Sequence, residues 1–220
     1  MSTIAVLPVK RFEHAKQRLG EAMRPGTRRA LTEAMLTDVL TALRRATRVD
    51  GVVVITSEHS ADALARAHNA QTIPDPDEPG HSAAATHGMR WATEQGARRV
   101  LLVPGDCPTL DPGEVDDLLI ADPSSDPRVT IVPDRHGTGT NALVITPPGA
   151  IEPSFGPGSR ARHEAAAVAA GAQWRIAEPP SLVLDVDTLD DLAALRASLD
   201  SRTGGAAHTR GLLAHLGRRG

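Results

Sequence analysis

Short apolar runs alternate along the chain with stretches whose apolar residues recur every three or four positions. Ile4-Ala5-Val6-Leu7-Pro8-Val9 is a run of the first kind and predicts a buried strand. The valine-rich run over 51–56 predicts a second strand, and Arg99 to Pro104 a third. Ala70–Ile73, Val129–Val132, Ala142–Thr146, Gln173–Ile176 and Leu182–Leu184 are shorter strand candidates. Between the first two strands, Leu31, Ala34, Met35, Val39, Ala42 and Leu43 mark one face of a helix over 27–45. Further helices are predicted over 60–67, 82–95, 159–170 and 188–199, with Thr188 as an N-cap. Another opens at Asp111-Pro112-Gly113-Glu114, where proline suits the first turn. The segments 74–80 and 123–127 carry too much proline for regular structure. Near-continuously apolar strands separated by helices predict a parallel, doubly wound α/β sheet in one domain, residues 1–200. The remaining segment, 201–220, has four arginines and no acidic residue and is expected to be a mobile basic tail.

Composition narrows the class. The 220 residues include 24 basic and 27 acidic ones, a net charge of -3, which does not support a broad nucleic-acid surface. No apolar run reaches the roughly 18 residues that a membrane helix needs. The N-terminal residues lack a basic flank and a long apolar core, so no signal peptide is expected. The single cysteine, Cys107, makes no internal disulfide, which suits a cytoplasmic protein. Only two of the 24 basic residues are lysines, Lys10 and Lys16, and both follow the first strand.

In open α/β sheets, ligands sit beyond the carboxyl ends of the strands. Lys10, Arg11, Lys16 and Arg18 lie just after the first strand and suit an oligophosphate, unless they form a solvated basic loop. Asp106, in Pro104-Gly105-Asp106-Cys107-Pro108, ends the third clear strand and suits a divalent metal, a ribose hydroxyl or a plain turn. Strand alternation over Leu184-Asp185-Val186-Asp187-Thr188 puts Asp185 and Asp187 on one side. Two adjacent carboxylates repel and favour a cation between them, though Asp187 also suits a helix cap. Asp134 to Asn141 is glycine- and threonine-rich, and Phe155-Gly156-Pro157-Gly158-Ser159 opens a helix; both patterns suit anions. His163, one turn after Ser159, either faces the same place or lies on the surface. Cys107 has no neighbouring His or Asn to activate it, and there is no Walker A sequence.

These blocks, in this order, resemble the 2-phospholactate/phosphoenolpyruvate guanylyltransferases, the CofC/FbiD family. Ile4 to Lys10 with Ala15-Lys16-Gln17-Arg18-Leu19 is similar to its N-terminal signature, and Gly105-Asp106-Cys107-Pro108 to its metal motif. The segments 134–141, 155–163 and 184–188 are similar to the remaining blocks. The resemblance covers about residues 3 to 199. It implies a three-layer, mostly parallel nucleotidyltransferase fold. It also implies transfer of GMP from GTP to 2-phospho-L-lactate or phosphoenolpyruvate, releasing pyrophosphate, in coenzyme F(420) biosynthesis. The arginine- and alanine-rich composition resembles that of a high-GC actinobacterium, and because the family's mycobacterial members use phosphoenolpyruvate, the resemblance favours that acceptor. By the same resemblance, Asp106, Asp185 and Asp187 hold one or two Mg²⁺ ions. Pro8, Lys10, Lys16, Gly80 and Ser82 bind the nucleotide, with Lys10, Lys16, Arg18 and Asp106 acting in catalysis. Gly156, Ser159 and one of Thr138 and Thr140 hold the acceptor phosphate. The family's Gly-Leu-Asn-x-Ala loop is here Gly80-His81-Ser82-Ala83-Ala84, so Ser82 stands in for asparagine. A homodimer and coupling to the next enzyme of the pathway are left open as partners. Two alternatives remain. One is a molybdopterin guanylyltransferase-like enzyme, although the Leu-Ala-Gly-Gly-x-Ser-x-Arg-Met-Gly signature is missing. The other is a non-catalytic nucleotide-binding regulator.

Overall fold

Alternation within the first strand decides the layering. Ile4 and Val6 pack into one apolar cluster, while Ala5 and Leu7 pack into another on the opposite face. The strand β1 (Thr3–Pro8) is therefore buried along its whole length. The computed structural model describes residues 2–14, 16–20, 23–75, 80–120 and 127–218. Ala15 and the loop expectations at 76–79 and 123–126 lie outside the described residues.

Six further strands join β1: β2 (Gly51–Ile55), β3 (Gln71–Ile73), β4 (Arg99–Leu102), β5 (Arg128–Pro133), β6 (Thr140–Thr146) and β7 (Gln173–Ile176). Their order is β3-β2-β1-β4-β6-β5-β7. The sheet is mostly parallel, as expected, but β6 runs antiparallel to both β4 and β5. Its first residues consequently lie at the end where the parallel strands finish.

Helices α1 (Pro25–Arg45), α2 (His59–Ala67) and α4 (Pro112–Leu118) cover the face that includes Ala5 and Leu7. Helices α3 (His81–Glu94) and α5 (Ser159–Ala169) cover the other. At Gly88, α3 comes so close to the sheet that a Cβ would collide with Val6 Cγ1 and lie 2.9 Å from Ile55 Cδ1. Helix α4 is capped by Asp111, which accepts from the amides of Gly113 (2.8 Å) and Glu114 (3.1 Å). Helix α6 (Leu189–Ser201) starts with a capping box between Thr188 and Asp191, as the sequence predicts for Thr188.

Two expectations fail. Leu182–Leu184 is not a strand but irregular backbone leading towards α6. The segment 201–220 contains a helix, α7 (Ala207–Gly217), rather than a featureless tail. Leu213 and Ala206 join Leu31, Met35, Leu195 and Leu199 in a third apolar cluster that seats α6 and α7 on α1. The cap of α7 is supplied at long range. Asp38 on α1, itself buried, accepts from the amides of His208 (3.0 Å) and Thr209 (2.8 Å). Counting arginines in the tail missed its apolar Leu212-Leu213 pair and this distant cap.

Two substitutions test the packing by chemical denaturation. Gly88→Ala should cost about 1–3 kcal/mol, because α3 must move off the sheet. Asp38→Ala should cost about 1–2 kcal/mol by uncapping α7. A neutral result at either position would contradict the packing described for that helix.

Candidate active site

A cleft of about 540 Å³ opens where β1 and β4 end and β6 begins. Most of the residues predicted from sequence line it: Pro8, Lys10, Lys16, Arg18, Asp106, Thr138, Thr140, Gly156, Ser159, Asp185 and Asp187. Gly80 and Ser82 do not. The Ser82 hydroxyl instead accepts from the amide of Phe155 at 2.8 Å, so it braces the cleft wall.

The basic segment after β1 is pinned at three points. Phe12 and Leu19 are buried, and the Phe12 amide donates to Glu58 Oε2 at 3.0 Å. Between them, Lys16 adopts a left-handed backbone conformation (φ 55°), uncommon for a residue with a Cβ. This turn sends its side chain inward, where it is 5% exposed. The ammonium forms ion pairs with Asp106 Oδ2 and, at 2.9 Å, with Asp187 Oδ1. Burial opposes the charge on Lys16, but the two carboxylates more than offset it and raise the pKa above the ordinary lysine value. Lys10 and Arg18 line the same cleft but are exposed.

Asp185 is the third carboxylate. Burial, together with the charges of Asp106 and Asp187, pushes its pKa up to about 6. It is not placed by a strand. Asn141 at the start of β6 donates from Nδ2 to the Leu182 carbonyl (2.8 Å) and to Asp185 Oδ1 (3.3 Å), fixing the irregular segment. Asp187 is not the cap of α6, since Thr188 fills that role. Asp106 Oδ1 is buried and has no hydrogen-bond partner among the described residues. An orphaned buried carboxylate oxygen beside a second carboxylate with a raised pKa fits a divalent cation by donor chemistry. Among the described residues no three His, Cys, Asp or Glu side chains are grouped closely enough to enclose an ion unaided. Lys16 supplies the positive charge instead.

The loop before β6 and the turn before α5 complete the lining. Asp134 Oδ1 accepts from the amide of Thr138 (3.0 Å), closing a tight loop. A Cβ at Gly139 would lie 2.6 Å from Asp134 Oδ2, so that position needs glycine. The turn before α5 is held by Arg162, whose guanidinium donates to Ser154 Oγ and to the carbonyls of Ser154, Phe155 and Pro157. Gly156 and Gly158 in that turn have positive φ. Ser159 Oγ is buried and has no partner among the described residues. His163 is fully buried rather than on the surface. Its Nδ1 lies 3.0 Å from Thr140 Oγ1, and its Nε2 accepts from the Ser154 amide at 2.8 Å. The cleft lining thus combines the carboxylates of Asp106, Asp185 and Asp187 with the hydroxyls of Thr138, Thr140 and Ser159.

The family model for guanylyl transferases described as CofC-like matches residues 3–215. The chain belongs to this family. A phosphoenolpyruvate guanylyltransferase of Conexibacter woesei is 53% identical over 98% of this chain and 97% of its own length. One from Sphaerobacter thermophilus is 38% identical over 89% and 93%. A nucleotidyl transferase structure from Methanothermobacter shares the fold with a TM-score of 0.64 at 19% identity, covering 91% of this chain and 99% of that one. A Desulfovibrio desulfuricans structure, provisionally named a nucleotide-diphospho-sugar transferase, reaches 0.72 at 18% identity and covers 98% and 95%.

Sequence reasoning missed Asn141 as a brace for Asp185 and gave no role to His81, which lines the cleft. His81 stacks edge-on against Phe155 with centroids 4.8 Å apart. Cys107 is buried, and burial followed by nearby carboxylates raises its thiol pKa, in keeping with an inert residue.

Two measurements test this geometry. Lys16→Arg should lower turnover about 10- to 100-fold, because a planar guanidinium does not fit the buried point between two carboxylates, while Lys10→Arg should stay within about threefold. Equal effects would remove the distinction between buried and exposed lysine. Burial, helped by the Arg162 charge, holds the His163 pKa down at about 4, against 6.5 for a free imidazole. Between those values the unfolded chain binds a proton that the folded one excludes, so stability falls as pH drops through that window. Urea titrations at pH 7 and 5 should show a larger loss for the native chain than for His163→Gln. Equal losses would mean that the imidazole is not held neutral.

Proposed function

We propose that this chain transfers the guanylyl group of GTP to phosphoenolpyruvate, forming enolpyruvyl-diphospho-5′-guanosine and pyrophosphate in coenzyme F(420) biosynthesis, a cytoplasmic reaction. The observation that carries the reading is the cleft lined by both carboxylates and hydroxyls, in a chain 53% identical to a phosphoenolpyruvate guanylyltransferase over nearly its full length. An oxygen of the acceptor phosphate attacks the α-phosphorus of GTP. The bond from that phosphorus to the bridging oxygen breaks, and pyrophosphate leaves with the electron pair. The nucleophile is already an anion, so no general base is required, and the barrier is the approach of two negative charges.

The residues divide the work accordingly. Lys10 and Arg18 at the cleft mouth attract the triphosphate and stabilise the departing pyrophosphate. Thr140, Gly156 and Ser159 receive the acceptor phosphate. Of the two candidate threonines, Thr140 fits better: its hydroxyl is tied to His163, whereas Thr138 is exposed. Asp106, Asp185 and Asp187 would hold one or two Mg²⁺ ions. When bound, such an ion neutralises the phosphate oxygens between nucleophile and leaving group. Lys16 offsets part of the charge of these carboxylates before substrates arrive, and the triphosphate offers it an alternative anionic partner. Ser82 braces Phe155 on the cleft wall.

The test is pyrophosphate release with GTP, ATP and CTP against phosphoenolpyruvate, 2-phospho-L-lactate and 3-phosphoglycerate. GTP with phosphoenolpyruvate should be the preferred pair. Asp106→Asn should lower its turnover by about 100-fold or more with the fold intact. GTP binding without pyrophosphate release from any acceptor would point to a non-catalytic nucleotide binder. Near-native turnover by Asp106→Asn would remove the carboxylates from the mechanism.

A further inference from the structure

His163 occupies a place that the transfer reaction does not explain by itself. It sits on α5 one turn beyond Ser159, fully buried, and never reaches the cleft surface. Its two ring nitrogens have different partners. The Ser154 backbone amide can only donate, so Nε2, 2.8 Å away, must be an acceptor without a proton. A neutral imidazole then carries its proton on Nδ1. That N–H donates to Thr140 Oγ1 at 3.0 Å. Thr140 Oγ1 has no other partner among the described residues. With one lone pair of Oγ1 occupied by the imidazole, the hydroxyl hydrogen is left to point elsewhere, and Thr140 lines the cleft. The ring is further fixed by an edge-on contact with Phe155, centroids 5.4 Å apart.

We infer that His163 is a positioning residue that fills one acceptor site of the Thr140 hydroxyl and turns its O–H to donate into the acceptor part of the cleft, where it meets an anionic oxygen of the acceptor. A free threonine hydroxyl donates or accepts as it rotates, so it does not select an anion. An oriented one beside the unpartnered Ser159 Oγ does. The same imidazole anchors the Ser154–Phe155 backbone, so one side chain sets the register between the start of β6 and the turn that carries Gly156. The inference rests on the reading of this part of the cleft as the acceptor subsite.

Two substitutions separate the contacts. In His163→Gln the side-chain amide reaches the Nε2 position and keeps the Ser154 contact, but loses Thr140. In His163→Asn it reaches the Nδ1 position and keeps the donor to Thr140. Steady-state kinetics with GTP and phosphoenolpyruvate should show an acceptor KM raised about 10- to 100-fold in His163→Gln, with the KM for GTP within about twofold. Thr140→Val should show the same, and the double variant should be no worse than either single one. His163→Asn should keep an acceptor KM close to that of the native chain. The proposal is overturned if His163→Gln leaves the acceptor KM unchanged, if both KM values rise together, or if the two substitutions are additive. Native protein that releases no pyrophosphate with phosphoenolpyruvate overturns the proposed reaction itself. Turnover with an unshifted His163→Gln overturns the positioning role alone.

Discussion

Carboxylates gathered in a cleft require a positive charge among them. Asp106, Asp185 and Asp187 meet this constraint through Lys16, whose ammonium is paired with two of them. Much of the surrounding structure follows from delivering that ammonium. The segment after β1 leaves the sheet, is pinned by Phe12 and Leu19, and passes through a left-handed residue that directs the side chain inward. Glu58 fastens it from another loop through the Phe12 amide. The pairing is also provisional in its chemistry. An ammonium neutralises one charge, and it leaves Asp106 Oδ1 without a partner and Asp185 with a raised pKa. The site is balanced enough to fold and unsatisfied enough to accept a further cation.

Another part of the cleft wall depends on strand direction. In an all-parallel sheet every strand delivers its carboxyl end to the ligand. Here β6 is reversed and brings its first residues, Thr140 and Asn141, to that edge. Asn141 turns towards the carboxylates and holds Asp185. Thr140 turns towards α5 and meets His163. Adjacent residues of one strand therefore meet different partners in the cleft wall, because side chains alternate along a strand.

Most of the secondary structure was legible because the apolar periodicities were strong: the run at Ile4 to Leu7, the valines after Gly51 and the single face of α1. Most lining residues were legible for a related reason. Phosphate and metal chemistry draws on few residue types, and these follow or precede apolar runs. The failures share a cause. Leu182–Leu184 has a strand-like composition but is held by Asn141 and Cys107 in irregular backbone. The segment 201–220 looked featureless because its helix is capped by Asp38, which lies 170 positions away from His208. The contact from the Phe155 amide to the Ser82 hydroxyl spans 73 positions and has no local signature either.

The sequence alone determined which residue types stand at the strand ends, and hence the reaction class that the resemblance expressed. It set the layered α/β architecture, since buried strands and one-faced helices have few ways to cover one another. Only the tertiary structure decided which charges meet. Lys16 and Asp187 are 171 residues apart, and no local pattern pairs them. Thr138 and Thr140 differ little in sequence, but only Thr140 is described with a bond to a buried imidazole. Local propensity acts over a few residues, whereas charge pairing and hydrogen-bond direction are fixed by distances that exist only once the chain has folded.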